Sequence, residues 1–118
     1  LKKKAVDFYM GKNGTRQNCA QSVAIAAKDE YEVSDEEIEM LKNLSGGRAP
    51  GGMCGAIYAT QWLITRKSPE DAQIALSAFN EAIGEIHCRA IRSARMHSCM
   101  DCVAEAAILA EKYILTNK

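Results

Sequence analysis

The residues with chemistry to offer are five cysteines, Cys19, Cys54, Cys88, Cys99 and Cys102. Their number is odd, so they cannot all pair within one chain. Five in 118 residues is about 4%, well short of the roughly 8–10% of a disulfide scaffold. A chain able to build its own core has no need of disulfides for stability. The thiols are therefore expected to serve as metal ligands or redox groups. Cys19, Cys54 and Cys99 fall at predicted helix starts, where unsatisfied N–H groups and partial positive charge favour thiolate over thiol. Cys88 is expected late in a long helix, with Arg89 beside it as a source of positive charge. Cys99 and Cys102 form a C-x-x-C, which on a helix puts both sulfurs on one face. That arrangement suits a redox pair or two ligands of one metal. Val103 follows Cys102, so the pair is not a c-type haem attachment site, which needs histidine there.

Before Cys54 runs Ser45-Gly46-Gly47-Arg48-Ala49-Pro50-Gly51-Gly52, which holds four of the eight glycines. No G-x-x-x-x-G-K-[ST] and no preceding strand accompany it, which argues against a nucleotide site. Backbone N–H groups in such a loop can point instead at the sulfurs of a metal cluster and help set its potential.

Holding these residues in place calls for a folded domain, and the composition supplies one. Hydrophobic residues are 47% and charged residues 25%, the usual globular mixture. A chain of 118 residues makes a single domain, 1–118, that buries about two-thirds of its unfolded surface. Fifteen basic and fifteen acidic residues cancel, so no field draws the chain to nucleic acid or an anionic membrane. No apolar run approaches the roughly 20 residues of a membrane span.

No period-two stretch qualifies as a strand, and alanine is abundant. The expected fold is all-α, a compact bundle of five to six helices whose N-termini converge on a cysteine cluster. Helix 1 is expected over about Lys3–Met10, stopped by Gly11, with Asn13-Gly14 as a turn. Helix 2 covers about Asn18–Tyr31, capped by Asn18 or Thr15. Ser34 with Glu37 forms a capping box for helix 3, which carries Ile38, Leu41 and Leu44 on one face. Helix 4 spans about Met53–Arg66. Ser68-Pro69-Glu70-Asp71 opens helix 5. Its stripe Ala72, Leu76, Phe79, Ile83, Ile86 predicts that it runs to Ala90 or beyond. Ser93–His97 reads as a connection, and Ser98 with Asp101 caps helix 6. That helix buries Cys102/Val103, Ala106, Leu109/Ala110 and Tyr113, and Thr116–Lys118 frays. Tyr58, Trp62 and Phe79 are expected in the core. His87 and His97 flank Cys88 and Cys99 and are read as exposed or capping residues rather than ligands.

Four segments together resemble the C_GCAxxG_C_C family of small redox-active proteins with a CGAxxG motif. They are Asn18-Cys19-Ala20-Gln21-Ser22-Val23, Gly51-Gly52-Met53-Cys54-Gly55-Ala56, Ile86-His87-Cys88-Arg89, and Cys99 ahead of Val103–Leu109. The likeness covers about Asn18–Leu109, and a similar module resembles part of the split-Soret cytochromes c. Haem-binding sequences are absent here. Ala59 stands where the family motif has its final glycine. The resemblance implies Cys19, Cys54, Cys88 and Cys99 as the functional set. Cys102 is an additional thiol and an alternate for the fourth position.

Two classes of function follow. The first is electron transfer or redox sensing through an iron–sulfur cluster, expected as [2Fe–2S], bound by those four cysteines. The second is a metal-free thiol–disulfide redox protein, using Cys99/Cys102 or a long-range pair such as Cys19/Cys54. A structural zinc site is a further alternative. No Ser/His/Asp or paired-carboxylate setting marks an enzyme. The implied partners are a redox protein and a second copy of the chain. No export signal is visible, which points to the cytoplasm, with the periplasm as the alternative.

Overall fold

The computed structural model describes residues 2–12, 17–43, 50–66, 68–94 and 98–116. The protein is all-α, as expected. Among the described residues the helices are α1 (Lys2–Met10), α2 (Cys19–Ala26), α3 (Lys28–Tyr31), α4 (Asp35–Met40), α5 (Gly55–Thr65), α6 (Pro69–Ile83), α7 (Cys88–Ala94) and α8 (Cys99–Thr116). Short 3-10 turns occupy Leu41–Asn43 and Pro50–Gly52.

Local signals set most of the helix starts. Ser34 and Glu37 complete the capping box of α4. The Ser68 hydroxyl accepts from the Asp71 N–H at 3.3 Å, with Pro69 in the first turn of α6. At α8, the Ser98 N–H donates to Asp101 Oδ2 at 2.9 Å and the Asp101 N–H to Ser98 Oγ at 3.1 Å. Each is a reciprocal or single satisfaction of helix-end N–H groups by a short side chain.

Two predicted helices are divided, which gives eight helical segments from six. Helix 2 breaks at Ala27, whose φ of −98° and ψ of 8° end α2, and α3 stops at Glu32 in the left-handed region. Helix 5 ends at Gly84, with φ 92° and its N–H on Asn80 O at 2.7 Å. Only glycine adopts that conformation without a Cβ penalty. Ile86, which continues the helical stripe in the sequence, instead belongs to an extended link. The expected turn at Asn13-Gly14, the Thr15 cap, Leu44, Arg48, Met96, His97, and the chain end after Thr116 lie outside the described residues.

The core forms where α2, α5 and α8 pack against one another, with α1 across α2 and α8, and α6 across α5 and α8. Small residues let these helices approach: Ala20, Ala24, Ala56, Ala59, Ala106 and Ala110 are all fully buried. Ile57, Leu63, Ile64, Phe79 and Val103 fill the space between. Buried hydroxyls tie the frame together. Thr60 Oγ1 lies 3.1 Å from both Ala56 O and Ala106 O, joining α5 to α8. The Tyr31 hydroxyl donates to Ala110 O at 2.9 Å. Burial pushes this phenol above its ordinary range, and the charge of Asp71 adds to the shift.

Tyr58 and Trp62 depart from the sequence expectation: both are half-buried, whereas Phe79 is fully enclosed. Their exposed sides line a shallow groove between α5 and α6 with Gln61, Thr65, Arg66 and Gln73. The Arg66 guanidinium lies 4.3 Å from the Trp62 ring centre and pairs with Glu37. It also donates to Tyr31 O at 3.2 Å. One arginine thus covers an aromatic face and latches α3 and α4 to the end of α5.

Tyr31→Phe removes a buried hydrogen bond without changing shape. The expected cost is about 1 kcal/mol, read as a lower denaturant midpoint at unchanged slope.

Candidate functional site

Cysteine opens four of the helices. Cys19 is the first residue of α2, and Cys54 is the N-cap of α5, its carbonyl accepting from Tyr58 N–H at 3.0 Å. Cys88 is the first residue of α7 and Cys99 the first of α8. The expectation for Cys88, late in a long helix, is therefore corrected. The break at Gly84 moves it to the start of a new helix, with the His87 carbonyl accepting from Ile91 N–H at 3.0 Å. Partial positive charge from the first helical turn lies beside these positions.

Cys19, Cys54, Cys88 and Cys102 are buried and not in disulfides. Exposure separates them. Cys102 is 2% exposed, inside the core of α8, whereas Cys19, Cys54 and Cys88 retain 6–9%. Cys102 is thus packed as a small hydrophobe, while the other three sit at the rim. Cys19, Cys54 and Cys102 share one core with its aliphatic residues, and Cys88 lies outside that contact network. The side chain of Cys99 is outside the described residues.

Asn18 fixes the start of α2 from three sides. Its Oδ1 accepts the Gln21 N–H at 2.7 Å, and its Nδ2 donates to Leu41 O at 3.2 Å and Lys42 O at 2.7 Å. The residue before Cys19 is therefore both a helix cap and a clamp on the turn that follows α4.

The segments that carry Cys54 and Cys88 are joined by backbone. The single β-bridge among the described residues pairs Met53 with His87 in antiparallel sense, and the Cys54 N–H donates to Ile86 O at 2.7 Å. Cys54 is thereby opposite Ile86, and each cysteine directly follows a bridged residue. The turn that delivers Met53 to the bridge runs through Gly51 and Gly52, both at positive φ (71° and 74°). Neither would have a Cβ contact within 4 Å, so conformation rather than space calls for glycine there.

Glu85 organises the link on the other side, and no cysteine motif drew attention to it. One carboxylate oxygen lies 2.8 Å from the Ile86 N, 3.1 Å from the His87 N and 2.7 Å from His87 Nδ1. These contacts lower the Glu85 carboxyl from 4.5 to about 2, the His87 ring contributing most and the two backbone N–H groups next. His87 itself is exposed, as expected, and so is Arg89. The available signal was Gly84, a glycine inside an otherwise helical stripe.

Among the described residues, no three His, Cys, Asp or Glu side chains are gathered closely enough to hold a metal ion. Among those residues also, no helix is long and apolar enough to cross a membrane.

An all-α protein with buried cysteines at three helix starts is a candidate for redox chemistry. Comparison with known families agrees: residues 17–113 match the family described as "Putative redox-active protein (C_GCAxxG_C_C)", and the chain belongs to it. The matched span includes all five cysteines. Neither curated proteins nor solved structures give a match.

Two measurements probe this geometry. Asn18→Ala should cost about 1–2 kcal/mol, since it removes a cap and the clamp on Leu41 and Lys42. The readout is chemical denaturation. Because folding lowers the Glu85 carboxyl, its contribution to stability is complete above about pH 4.5 and is lost as pH falls toward about 2. Carboxyl resonances followed by NMR should titrate accordingly. A Glu85 midpoint at 4 or above would contradict the triple contact.

Proposed function

We propose that this protein transfers electrons, or senses redox state, through an iron–sulfur cluster held by Cys19, Cys54, Cys88 and Cys99. Cys102 is the alternate for the fourth ligand. The observation that carries this reading is placement: each of the four cysteines opens a helix. Thiolate is the ligating form, and helix-start N–H groups stabilise both thiolate and the negative charge of a four-thiolate cluster.

The donor set suits iron by type, since four cysteine thiolates are what [2Fe–2S] and [4Fe–4S] clusters use. The thiols have to close on the metal as it loads, which couples binding to a change in the fold. When bound, the cluster supplies one-electron redox chemistry. The chain supplies the thiolates, and its aliphatic core keeps water from the buried side of Cys19 and Cys54.

A second reading is metal-free exchange at Cys99/Cys102, favoured by their backbone positions, first and fourth in α8, which share a helix face. Structural zinc uses the same donors. The natural partner in either redox reading is another redox protein, or a second copy of the chain, and the reducing cytoplasm suits thiols kept out of disulfides.

Protein purified without oxygen should contain stoichiometric iron and sulfide and absorb in the visible through sulfur-to-iron charge transfer. Cys19→Ser, Cys54→Ser and Cys88→Ser should each lose most of the iron. Comparing Cys99→Ser with Cys102→Ser identifies the fourth ligand. Failure to take up iron and sulfide on anaerobic reconstitution sinks the cluster reading. Zinc in their place selects the structural alternative, and a free-thiol count that rises with reductant selects exchange.

A further inference from the structure

Two backbone N–H groups in the 84–88 link have no helix to satisfy them. Helix α6 has ended at Gly84 and α7 has not yet begun, so Ile86 and His87 must find acceptors elsewhere. Both donate to the same Glu85 oxygen, at 2.8 and 3.1 Å. The ring of His87 closes on that oxygen at 2.7 Å. With their donors held on one side, the carbonyls of these residues serve the cysteines. Ile86 O accepts the Cys54 N–H at 2.7 Å, and His87 O accepts the Ile91 N–H at 3.0 Å, which starts α7 with Cys88 as its first residue. His87 also forms the bridge to Met53. A single side chain therefore brackets the only described backbone pairing between the Cys54 and Cys88 segments.

We infer that Glu85 is a positioning residue, whose acceptor oxygen fixes the backbone of Ile86 and His87 and so holds the bridge that joins the segments of Cys54 and Cys88. The inference rests on these two thiols working together in the proposed redox site, but not on which metal they meet. The Glu85 side chain is 36% exposed and the His87 ring 52% exposed, so the bracket lies at the surface rather than in the core. Its removal should loosen one link and leave the packing of α2, α5 and α8 intact. What the geometry requires is an acceptor oxygen in that place. Glutamine keeps one and alanine does not.

The test uses reduced, metal-free full-length protein and phenylarsine oxide, a trivalent arsenical that bonds two neighbouring thiols. A Cys99→Ser background removes the competing Cys99/Cys102 pair, and adducts are located by mass spectrometry. Adding Glu85→Ala should weaken arsenical binding at Cys54/Cys88 at least tenfold, while Glu85→Gln should stay within threefold of the parent. Circular dichroism confirms that the variants keep their helicity. Undiminished binding in Glu85→Ala overturns the inference, as does an equal loss in Glu85→Gln, or a parent that forms no Cys54/Cys88 adduct. Hydrogen exchange on the unaltered protein gives a check that needs no variant. The Ile86 and His87 amides should be protected, and free exchange at both overturns the bracket. Iron and sulfide content, measured separately, decides the cluster reading. Glu85-dependent arsenical binding without iron uptake rejects the cluster and keeps Glu85. Iron uptake with Glu85-independent arsenical binding does the reverse.

Discussion

Every helix begins with N–H groups that have no acceptor inside the helix. Short oxygen-bearing side chains satisfy them at α4, α6 and α8, through Ser34, Ser68 and Ser98. At the same ends, or at others, sulfur takes the first helical position (Cys19, Cys88 and Cys99) or the cap (Cys54). A sulfur there gains most when it carries negative charge, because partial positive charge already waits for it. Division of labour is visible at α2 and α8, where Asn18 or Ser98 caps the helix and the cysteine follows as its first residue. At α5 the cysteine itself occupies the cap position.

The frame behind these starts is rigid for ordinary reasons. Fully buried alanines bring α2, α5 and α8 close, and Phe79, Ile57, Leu63 and Ile64 fill what remains. Tyr31 and Thr60 add hydrogen bonds that a purely aliphatic contact would lack, fixing which residue of α8 meets which residue of α3 and α5. The cysteine segments are held differently. Cys19 and Cys102 ride on the packed helices, whereas Cys54 and Cys88 depend on two short links, Pro50–Met53 and Gly84–His87, joined by one bridge. Met53 and Ile86 anchor those links by packing against the core.

Legibility followed the range of the signal. Caps are local, and the motifs at Ser34, Ser68 and Ser98 stand in the chain as they stand in the fold. The core stripe of α8 through Cys102, Val103, Ala106, Leu109 and Ala110 was equally plain, because a 3.6-residue period survives intact over a long helix. Helix 5 misled for the same reason: Ile83 and Ile86 continue the period that begins at Ala72, so Gly84 looked tolerable within it. The Glu85 contacts were invisible, since a carboxylate that folds back over the next two residues has no periodicity and no spacing rule. Tyr58 and Trp62 looked like core by type, yet the groove beside α6 leaves them half-covered.

Residue types and short-range order were enough to settle that the chain is helical and where most helices start. Those features depend on neighbours within about four positions, the reach of a helical turn. Three-dimensional packing settled the rest. It made Cys88 the opening of a helix and joined its segment to that of Cys54 through the Met53–His87 bridge. Contacts between segments more than thirty positions apart leave no trace in the local pattern, because a hydrogen bond such as Cys54 N–H to Ile86 O depends on where the whole frame puts both ends.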